Sequence, residues 1–402
     1  MDLSFSSEEL AFRDEVRAFL RDNLPDHIIR GTAASPGVFV EPDIGQEWQA
    51  ILNAQGWLAY QWPVEHGGTG WTPIQRYIFE KECALAGAAA LTVLSLKLFA
   101  PVCYTFGAPE QKARLLPRVL SGEDYYCQGF SEPGSGSDLA SLQTRAVLNG
   151  DHYLVNGSKV WTTHAHHANR MFCLARTNTE VRKQAGISFL LLDMDQPGVT
   201  VRPIITLGGD HEVNEVFLDN AIAPVEDRIG AEGEGWTIAK FLLENERGGS
   251  CFAPKLLADV DAVEAAAMRE CDGERGPLGL TAEWKRRIAE LRLQAQALEM
   301  IELRILGDVS RGLPPGPQTS MIKLLSSNLR QAVDLTWMEV YGAIGMQYET
   351  SRPLYGNGAP EPIRSRGAQV AAPRYLNSRA WTIFGGANEV QLGIIAKTVL
   401  RT

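Results

Sequence analysis

Several features that would point to other classes of protein are missing from this sequence or weak in it. The six cysteines are scattered and form no CxxC pair, so reduced thiols are expected rather than a disulfide framework. The net charge of −10 at pH 7 argues against nucleic acid as the main partner, because nucleic-acid binding usually needs a basic face. The N-terminus lacks the basic segment and apolar core of a signal peptide.

Long apolar runs are also scarce. The most apolar stretch, residues 84–102, contains Lys97 and ends near Pro101, which is typical of a buried helix rather than of a membrane span. Hydrophobic residues make up 45% of the chain and charged residues 21%, as in an ordinary globular protein. We therefore expect a cytoplasmic protein of two or three domains, without a membrane span and without a nucleic-acid partner.

The pattern of residues changes twice along the chain. Residues 1–122 carry apolar side chains at helical spacing, starting after a capping serine at position 6 or 7 and continuing through a long apolar helix at 74–98. Residues 123–230 contain short β-branched runs, with hairpin-type turns at Asn149-Gly150 and Asn156-Gly157. Residues 231–402 return to helical periodicity, apart from a loop rich in Pro, Gly and Arg at 355–374. The expected fold is α+β: an N-terminal helical domain, a middle antiparallel β-barrel or sandwich, and a C-terminal helical bundle.

Two segments of the middle region have the composition of a ligand site. The loop from Gly129 to Asp138 combines glycines, a proline and three serines, so its backbone can approach a polar ligand closely. Trp161-Thr162-Thr163 follows in the same β region. By composition alone, a solvent-exposed turn is the favoured interpretation of the loop. No GxGxxG follows a predicted strand, so a nicotinamide dinucleotide site is not indicated.

Together with Glu246-Arg247 and the segment Phe384–Gln391, these motifs resemble the acyl-CoA dehydrogenase family, and the resemblance covers nearly the whole chain. The branch it resembles most is that of pimeloyl-CoA dehydrogenase large subunits. The resemblance implies FAD as cofactor, an acyl-CoA thioester as substrate and an electron-transfer flavoprotein as electron acceptor. The resemblance also implies which residues contact the flavin: Gln128, Phe130, Ser131, Gly136, Trp161, Thr163 and Glu389. It implies that Ser137 and Arg247 contact the substrate.

The family chemistry is α,β-desaturation, in which a carboxylate removes the α-proton while the β-hydrogen leaves as hydride to flavin N5. Many members carry this base near the C-terminus, at the place of Gly385, which has no side chain. A minority carry it on the first helix of the C-terminal domain, before an arginine, and Glu246 matches that alternative. The resemblance leaves Gly385 a catalytic role as a backbone donor to the thioester carbonyl. Glu244 is the second candidate base, and a solvated helix face is the plain alternative for both glutamates.

Two segments depart from the family pattern, and both are ones that homotetrameric members offer to a neighbour's cofactor. Residues 271–278 lack the Arg-x-x-Phe-Gly pattern, and Arg275 replaces its arginine only loosely. Residues 339–345 carry Glu339 in place of a glutamine and Ala343 in place of a glycine. These losses suggest an α2β2 heterotetramer with a homologous small subunit, as the alternative to a homo-oligomer.

The sequence leaves other interpretations of the function open. A flavin oxidase or monooxygenase on the same fold would use oxygen directly, and a heteromer can contain a catalytically silent subunit. His164, His166 and His167 form a cluster, but no further ligand is suitably spaced, so we expect no metal site. The arginines at 364, 366 and 374 are weak candidates for meeting a distal carboxylate of the acyl group.

Overall fold

The computed structural model describes residues 5–248, 251–271, 273, 276–313 and 316–400, and the side chains at 245–248 and 399–400 lie outside that description. Helices come first, strands follow, and helices return to complete the chain. This order confirms the fold class expected from the sequence.

The N-terminal part is helical, and its first helix begins where the sequence indicates. The Ser6 hydroxyl accepts the Glu9 amide at 3.2 Å, and the Glu9 carboxylate accepts the Ser6 amide at 2.7 Å, which is a capping box. The expected long helix at 74–98 is wrong, because Gly87 takes a left-handed φ of 78° and ends the helix there. The helices are α1 (Ser7–Asn23), α2 (Asp26–Ala34), α3 (Pro42–Gln55), α4 (Pro73–Ala86), α5 (Ala100–Phe106) and α6 (Pro109–Ser121), and a π-helical turn (Leu94–Phe99) runs into α5.

The middle part contains eight strands: β1 (Tyr126–Gly129), β2 (Arg145–Asn149), β3 (His152–Thr163), β4 (Arg170–Arg176), β5 (Ile187–Asp193), β6 (Val199–Ile204), β7 (Val213–Pro224) and β8 (Arg228–Ile229). They form one sheet, in which seven strands have the order β6-β7-β3-β2-β4-β5-β8 and β1 pairs with β4 as the eighth. Most pairs are antiparallel, while β4 pairs in parallel with β1 and β2.

Of the two predicted hairpin turns, only the first is a turn. Asn149 pairs with His152 across a two-residue loop in which Gly150 has a φ of 66°. Gly157 instead lies inside β3, where the register with β7 shifts. A Cβ at Gly157 would lie 2.7 Å from the Thr144 Cα, so the glycine allows a close backbone approach within the strand.

The C-terminal part is a helical bundle in which α8, α9 and α10 bury a common apolar core. The expected loop at 355–374 is wrong in its second half, since α12 begins at Arg366 and the Ser365 hydroxyl accepts the Ala368 amide at 3.2 Å. The helices are α7 (Gly235–Gly248), α8 (Ala253–Arg269), α9 (Ala282–Ser310), α10 (Gln318–Val340), α11 (Gly342–Gly345), α12 (Arg366–Asn377) and α13 (Asn388–Ile395).

One apolar core joins the N-terminal helices, the sheet and α7. It contains Phe99 from the end of the π-helical turn, Phe172 from β4, and Ile238 and Leu242 from α7. Helix α7 is thereby packed against the same residues that support β1, the strand that leads into the serine-rich loop. No helix within the described ranges is long and apolar enough to cross a membrane.

Candidate active site

The serine-rich loop after β1 closes on itself. The Glu132 amide donates to the Ser135 carbonyl at 2.8 Å, and the Ser135 amide donates back to the Glu132 carbonyl at 3.0 Å. The Ser135 hydroxyl donates to the Asp138 carbonyl at 2.8 Å. Gly136 and Ser137 are exposed, and no described atom lies within 4 Å of where a Cβ at Gly136 would be. The inner end of the loop is therefore held by hydrogen bonds, while its outer edge is open to solvent.

A buried ion pair holds the inner end of this loop. The sequence did not reveal this pair. Lys159 on β3 is fully buried, and its ammonium donates to a Glu132 carboxylate oxygen at 2.8 Å and to the Leu174 carbonyl at 2.8 Å. The Glu132 carboxylate also accepts the Gln143 and Thr144 amides at 2.6 and 2.9 Å. Burial opposes the charge on Glu132, but the Lys159 ammonium and these donors lower the pKa of the carboxyl below its ordinary value.

Trp161 stands at a break in β3. The register between β3 and β7 shifts between Lys159 and Thr162, and Trp161 has a left-handed φ of 60°. Such a bulge redirects a side chain, and a large residue rarely adopts that conformation without a functional or packing reason. The indole is 61% exposed, although tryptophan is usually covered. Thr163 is half-buried and lies two residues further along the strand.

The loop and the tryptophan segment are neighbours. The Val160 amide donates to the Ser131 carbonyl at 2.9 Å, and the Lys159 ammonium reaches the Phe130 carbonyl at 3.3 Å. The Phe130 ring is buried edge-on against Phe172, with centroids 5.8 Å apart. Gln128 precedes them on β1 and is half-buried. The structure thus brings Phe130 and Ser131 beside the part of β3 that leads into Trp161.

The histidines after Thr163 pack against each other instead of converging on one point. The rings of His166 and His211 stack at 3.7 Å, and the buried Asn214 amide group bonds to both. Burial and the neighbouring imidazoles lower the pKa of His164 to about 3 and that of His166 to about 4. In the described part of the chain, no group of three His, Cys, Asp or Glu side chains is arranged to hold a metal ion.

Helix α7 carries the candidate base. Its buried face, with Ile238 and Leu242, packs into the shared core, and the Phe241 ring meets Phe106 at 5.1 Å. Glu244 is exposed. Glu246 and Arg247 belong to the helix by their backbone, but their side chains lie outside the described residues. Their roles therefore stay predictions.

The segment around Gly385 connects two short helical elements and is held by α10. Gly385 and Gly386 have left-handed φ values of 63° and 87°, which an L side chain adopts only with strain. The Lys323 ammonium donates to the Trp381 carbonyl at 2.7 Å, and the Gln391 amide group donates to the Gly386 carbonyl at 3.3 Å. Glu389 lies exposed in the first turn of α13. The missing side chain at 385 is thus accompanied by a backbone shape that favours glycine.

The two candidate catalytic segments meet through their neighbours. The rings of Phe252 and Trp381 lie edge to face with centroids 6.3 Å apart. Phe252 follows α7 by four residues, and Trp381 precedes Gly385 by four. The chain that leaves the Glu246 helix therefore contacts the chain that enters the Gly385 turn.

The two segments that depart from the family pattern, residues 271–278 and 339–345, make contacts within their own chain. Glu339 forms an ion pair with Arg287 of α9, so this carboxylate is engaged within its own chain. In the other segment, Cys271 forms an isolated β-bridge with Pro277, while Arg275 lies outside the described residues.

The three C-terminal arginines considered for a distal carboxylate also have partners within the chain. Arg364 pairs with Glu270 at 2.7 Å. Arg366 donates to the Leu354 carbonyl at 2.7 Å, and Arg374 donates to the Ser35 carbonyl at 3.3 Å. These contacts give each arginine a structural role.

Three family models match successive parts of the chain. They are the acyl-CoA dehydrogenase N-terminal domain at residues 6–123, the middle domain at 127–221 and the C-terminal domain at 233–400. The chain belongs to the acyl-CoA dehydrogenase family. Members of this family are flavoprotein oxidoreductases of lipid metabolism, and the family predicted from the motifs is confirmed.

Individual relatives agree with this assignment. Acyl-CoA dehydrogenase IpdE1 of Mycobacterium tuberculosis is 35% identical, over 97% of this chain and 96% of the relative. Among solved structures, the steroid acyl-CoA dehydrogenase (ACAD) Tcur3481-Tcur3483 is 27% identical with a TM-score of 0.83, over 100% of this chain and 99% of that one. The ChsE4-ChsE5 complex from Mycobacterium tuberculosis is 28% identical with a TM-score of 0.83, over the same shares of the two chains.

The residues of the candidate site fit a flavin. An exposed indole beside a loop with free outer edges suits a flat aromatic ring with polar rims. Hydroxyl and backbone donors of the loop match the carbonyl and nitrogen atoms on such a rim. The strained backbone at Trp161 is the kind of feature found where a protein orients a ligand.

Proposed function

We propose that this chain is an FAD-dependent acyl-CoA dehydrogenase that introduces an α,β double bond into an acyl-CoA thioester and passes its electrons to an electron-transfer flavoprotein. FAD held at this site would supply the hydride acceptor for the β-hydrogen, its N5 atom. The observation that carries the proposal is the contact of Phe252 with Trp381, which joins the Glu246 helix to a turn whose Gly385 has no side chain for acid–base work.

In this proposal Glu246 is the base and Arg247 orients it or the substrate. A carboxylate works best as a base when its pKa approaches the working pH, which burial beside a bound acyl chain favours. The Gly385 N–H donates to the thioester carbonyl and stabilises the enolate that develops as the α-proton leaves. Glu244 is exposed, so it is the weaker candidate.

Cofactor binding falls to the loop and the β3 bulge. Trp161 and Thr163 would lie against the ring, and the backbone of Phe130 and Ser131 would meet its polar rim. The residues proposed to hold FAD are Gln128, Phe130, Ser131, Gly136, Trp161, Thr163 and Glu389. Ser137, at the open edge of the loop, is proposed to contact the CoA part of the substrate.

The partner is proposed to be a homologous small subunit in an α2β2 assembly. Two related solved structures are described by paired names, Tcur3481-Tcur3483 and ChsE4-ChsE5. The engagement of Glu339 by Arg287 favours a partner that supplies its own contacts to FAD. Large side chains near the C-terminus are exposed in the isolated chain, as expected of a surface that another subunit covers: Ile383, Phe384, Val390 and Leu392.

For the substrate we propose a bulky, ring-bearing acyl-CoA. The support is the likeness to an ACAD that is described as acting on steroids. The compartment is proposed to be the cytoplasm, where the six free cysteines would stay reduced.

The test is to express the chain alone and together with a neighbouring homologue, and to titrate each preparation anaerobically with straight-chain, dicarboxylyl and ring-bearing acyl-CoA thioesters. We expect flavin bleaching by a ring-bearing thioester, and reoxidation by an electron-transfer flavoprotein faster than by air. Rapid reoxidation by oxygen with peroxide formation would identify an oxidase instead. A flavin-loaded complex that no acyl-CoA bleaches would contradict the proposal.

A further inference from the structure

The chain that leaves the Glu246 helix is held by carboxylates from two other helices. The Cys251 amide donates to a Glu80 oxygen of α4 at 3.3 Å. The Phe252 amide donates to Glu302 of α9 at 2.7 Å, and the Ala253 amide reaches both oxygens of Glu302 at 3.3 Å. Successive backbone donors are thus shared between two carboxyl groups that lie far apart in sequence.

Helix α8 needs such a partner because its own first residues supply none. Phe252 stands at its N-cap position and makes no side-chain cap hydrogen bond. The first amides of a helix lack intrahelical acceptors and need hydrogen-bond partners from outside the helix. Glu302, which is only 2% exposed, provides the missing cap from α9.

Glu80 is itself fixed by donors from the N-terminal part. Its Oε1 accepts the Tyr60 hydroxyl at 2.5 Å, the Gln61 amide group at 2.9 Å and the Lys97 ammonium at 3.4 Å. Lys97 lies in the π-helical turn, and such turns often mark functional sites. In the same turn, Ser95 accepts the Tyr126 amide of β1 at 3.0 Å. One continuous chain of contacts therefore links β1, which leads into the serine-rich loop, to the segment that follows α7.

We propose that Glu80 and Glu302 are positioning residues for the base: by holding the amides of Cys251, Phe252 and Ala253 they fix the end of α7 and with it the position of Glu246. This inference rests on the proposed function. We call the two carboxyl groups and the three N–H groups the amide clamp. The opposite end of α7 is fixed by the sheet, because the Gly233 amide donates to the Ser188 hydroxyl at 3.0 Å.

Positioning at this site matters because proton abstraction needs the carboxylate within hydrogen-bond reach of the α-carbon proton. A displacement of about 1 Å can lower a rate roughly 100-fold. Glu246 precedes the first clamped amide by only five residues. Loosening the clamp is therefore expected to move Glu246. The serine-rich loop should stay in place, because Lys159 holds it through Glu132.

The clamp also carries a titratable group. Burial raises the pKa of Glu302 to about 8, and the neighbouring Glu80 and Glu299 add to this effect. The two backbone donors, the Phe252 and Ala253 amides, act in the opposite direction. The charged or titratable groups that face it are Glu80 and Tyr77 on α4, Glu299 on α9 itself, Cys251 before α8, and the lysines at 81 and 97. Above about pH 8 Glu302 gains a charge beside Glu80 and Glu299, and the repulsion opposes the closed clamp.

The experiment compares Glu302→Gln and Glu302→Ala with a control, Glu299→Gln, one turn away on the same helix, in the FAD-loaded complex. Glu299 bonds to Tyr77 and Lys81 and does not contact the clamped amides. We expect Glu302→Ala to lower kcat for flavin bleaching roughly 10- to 100-fold, with KM within about 3-fold of wild type. We expect the wild-type rate to decline above about pH 8, and this decline to disappear in Glu302→Gln. In Glu299→Gln the decline should remain but move to lower pH, because Glu299 contributes to the raised pKa of Glu302.

Hydrogen exchange of the peptide that spans residues 251–256 gives a readout that does not depend on activity. Its amides should exchange faster in Glu302→Ala than in the control. Faster exchange in a complex that no acyl-CoA bleaches would support the clamp and refute the proposed function. Unchanged exchange together with unchanged kcat in Glu302→Ala, or an equal loss of kcat in Glu299→Gln at equal stability, would overturn the clamp.

Discussion

The Lys159 ammonium lies 2.8 Å from a carboxylate oxygen of Glu132, and both side chains are buried where β3 meets the serine-rich loop. This pair joins the two segments that the sequence motif identifies as parts of one site. It also satisfies the Gln143 and Thr144 amides through Glu132. The loop depends on this contact because a charge left alone in such a place is strongly unfavourable.

Removing only the lysine should therefore be costly. We predict that Lys159→Met lowers the free energy of unfolding by about 3–5 kcal/mol, because Glu132 is left buried without its counterion. The double variant Lys159→Met/Glu132→Gln should recover part of the loss, because it removes the buried charge, although the single glutamine oxygen can accept only one of the two amides. Urea unfolding of the single and double variants measures both values. A loss of less than about 1 kcal/mol in the single variant would show that the pair is not needed.

Trp161 should matter for FAD and not for stability. We predict that Trp161→Ala weakens FAD binding roughly 5- to 100-fold, since stacking on an aromatic face contributes about 1–3 kcal/mol. Thermal unfolding of the FAD-free protein should change little, because the indole is already 61% exposed. Ile222→Ala, at another exposed apolar position of the sheet, is the control and should bind FAD normally. Equal affinity in both variants, measured by flavin fluorescence, would place the ring elsewhere.

Gly385 should tolerate substitution poorly. A Cβ at its φ of 63° costs about 1–2 kcal/mol, so Gly385→Ala is expected to shift the backbone that offers the N–H to the thioester carbonyl. We predict a kcat reduced at least about tenfold with normal FAD content. Gly393→Ala, inside α13 with no described atom within 4 Å of its Cβ position, is the control and should stay active. Matching activities of the two variants would remove Gly385 from the site.

The dependence of stability on pH should report Glu302. The folded protein keeps a proton there up to about pH 8, whereas the unfolded chain releases it near the ordinary value of 4.5. Stability is therefore expected to fall as pH rises through this window, by up to about 1.4 kcal/mol per pH unit. Glu302→Gln should remove that part of the slope. The measurement is the free energy of unfolding of both proteins between pH 5 and 9. An equal dependence on pH in the variant and the wild type would contradict the raised pKa of Glu302.

The sequence predicted the parts of the site that are local. The loop after β1 and the Trp161 segment are short motifs, and their closeness follows from their places around one sheet. The Lys159–Glu132 pair was missed because it joins residues 27 positions apart, and only the presence of a lysine in a β-branched run hinted at it. The contact between Phe252 and Trp381 depends on how α10 holds the C-terminal segment, which no spacing in the sequence reveals.

The errors in the predicted elements have two different causes. Asn156-Gly157 has the composition of a turn, but Gly157 serves a close approach to Thr144 inside a strand, so tertiary packing outweighed local preference there. Arg366 to Arg374 has the composition of a loop, yet Ser365 caps a helix there, which is a local signal that the composition concealed. The clamp on α8 was equally hidden, since a cap supplied from another helix leaves no local pattern.

The assignment of the base is tested by comparing Glu246→Gln with Glu244→Gln in the FAD-loaded complex, by anaerobic bleaching and by α-proton exchange of a ring-bearing acyl-CoA in deuterated buffer. We predict that Glu246→Gln retains FAD and binds the thioester, yet loses bleaching and exchange by at least about 1,000-fold, while Glu244→Gln stays near wild type. Exchange that persists in Glu246→Gln and disappears in Glu244→Gln, or persists in both, would contradict it.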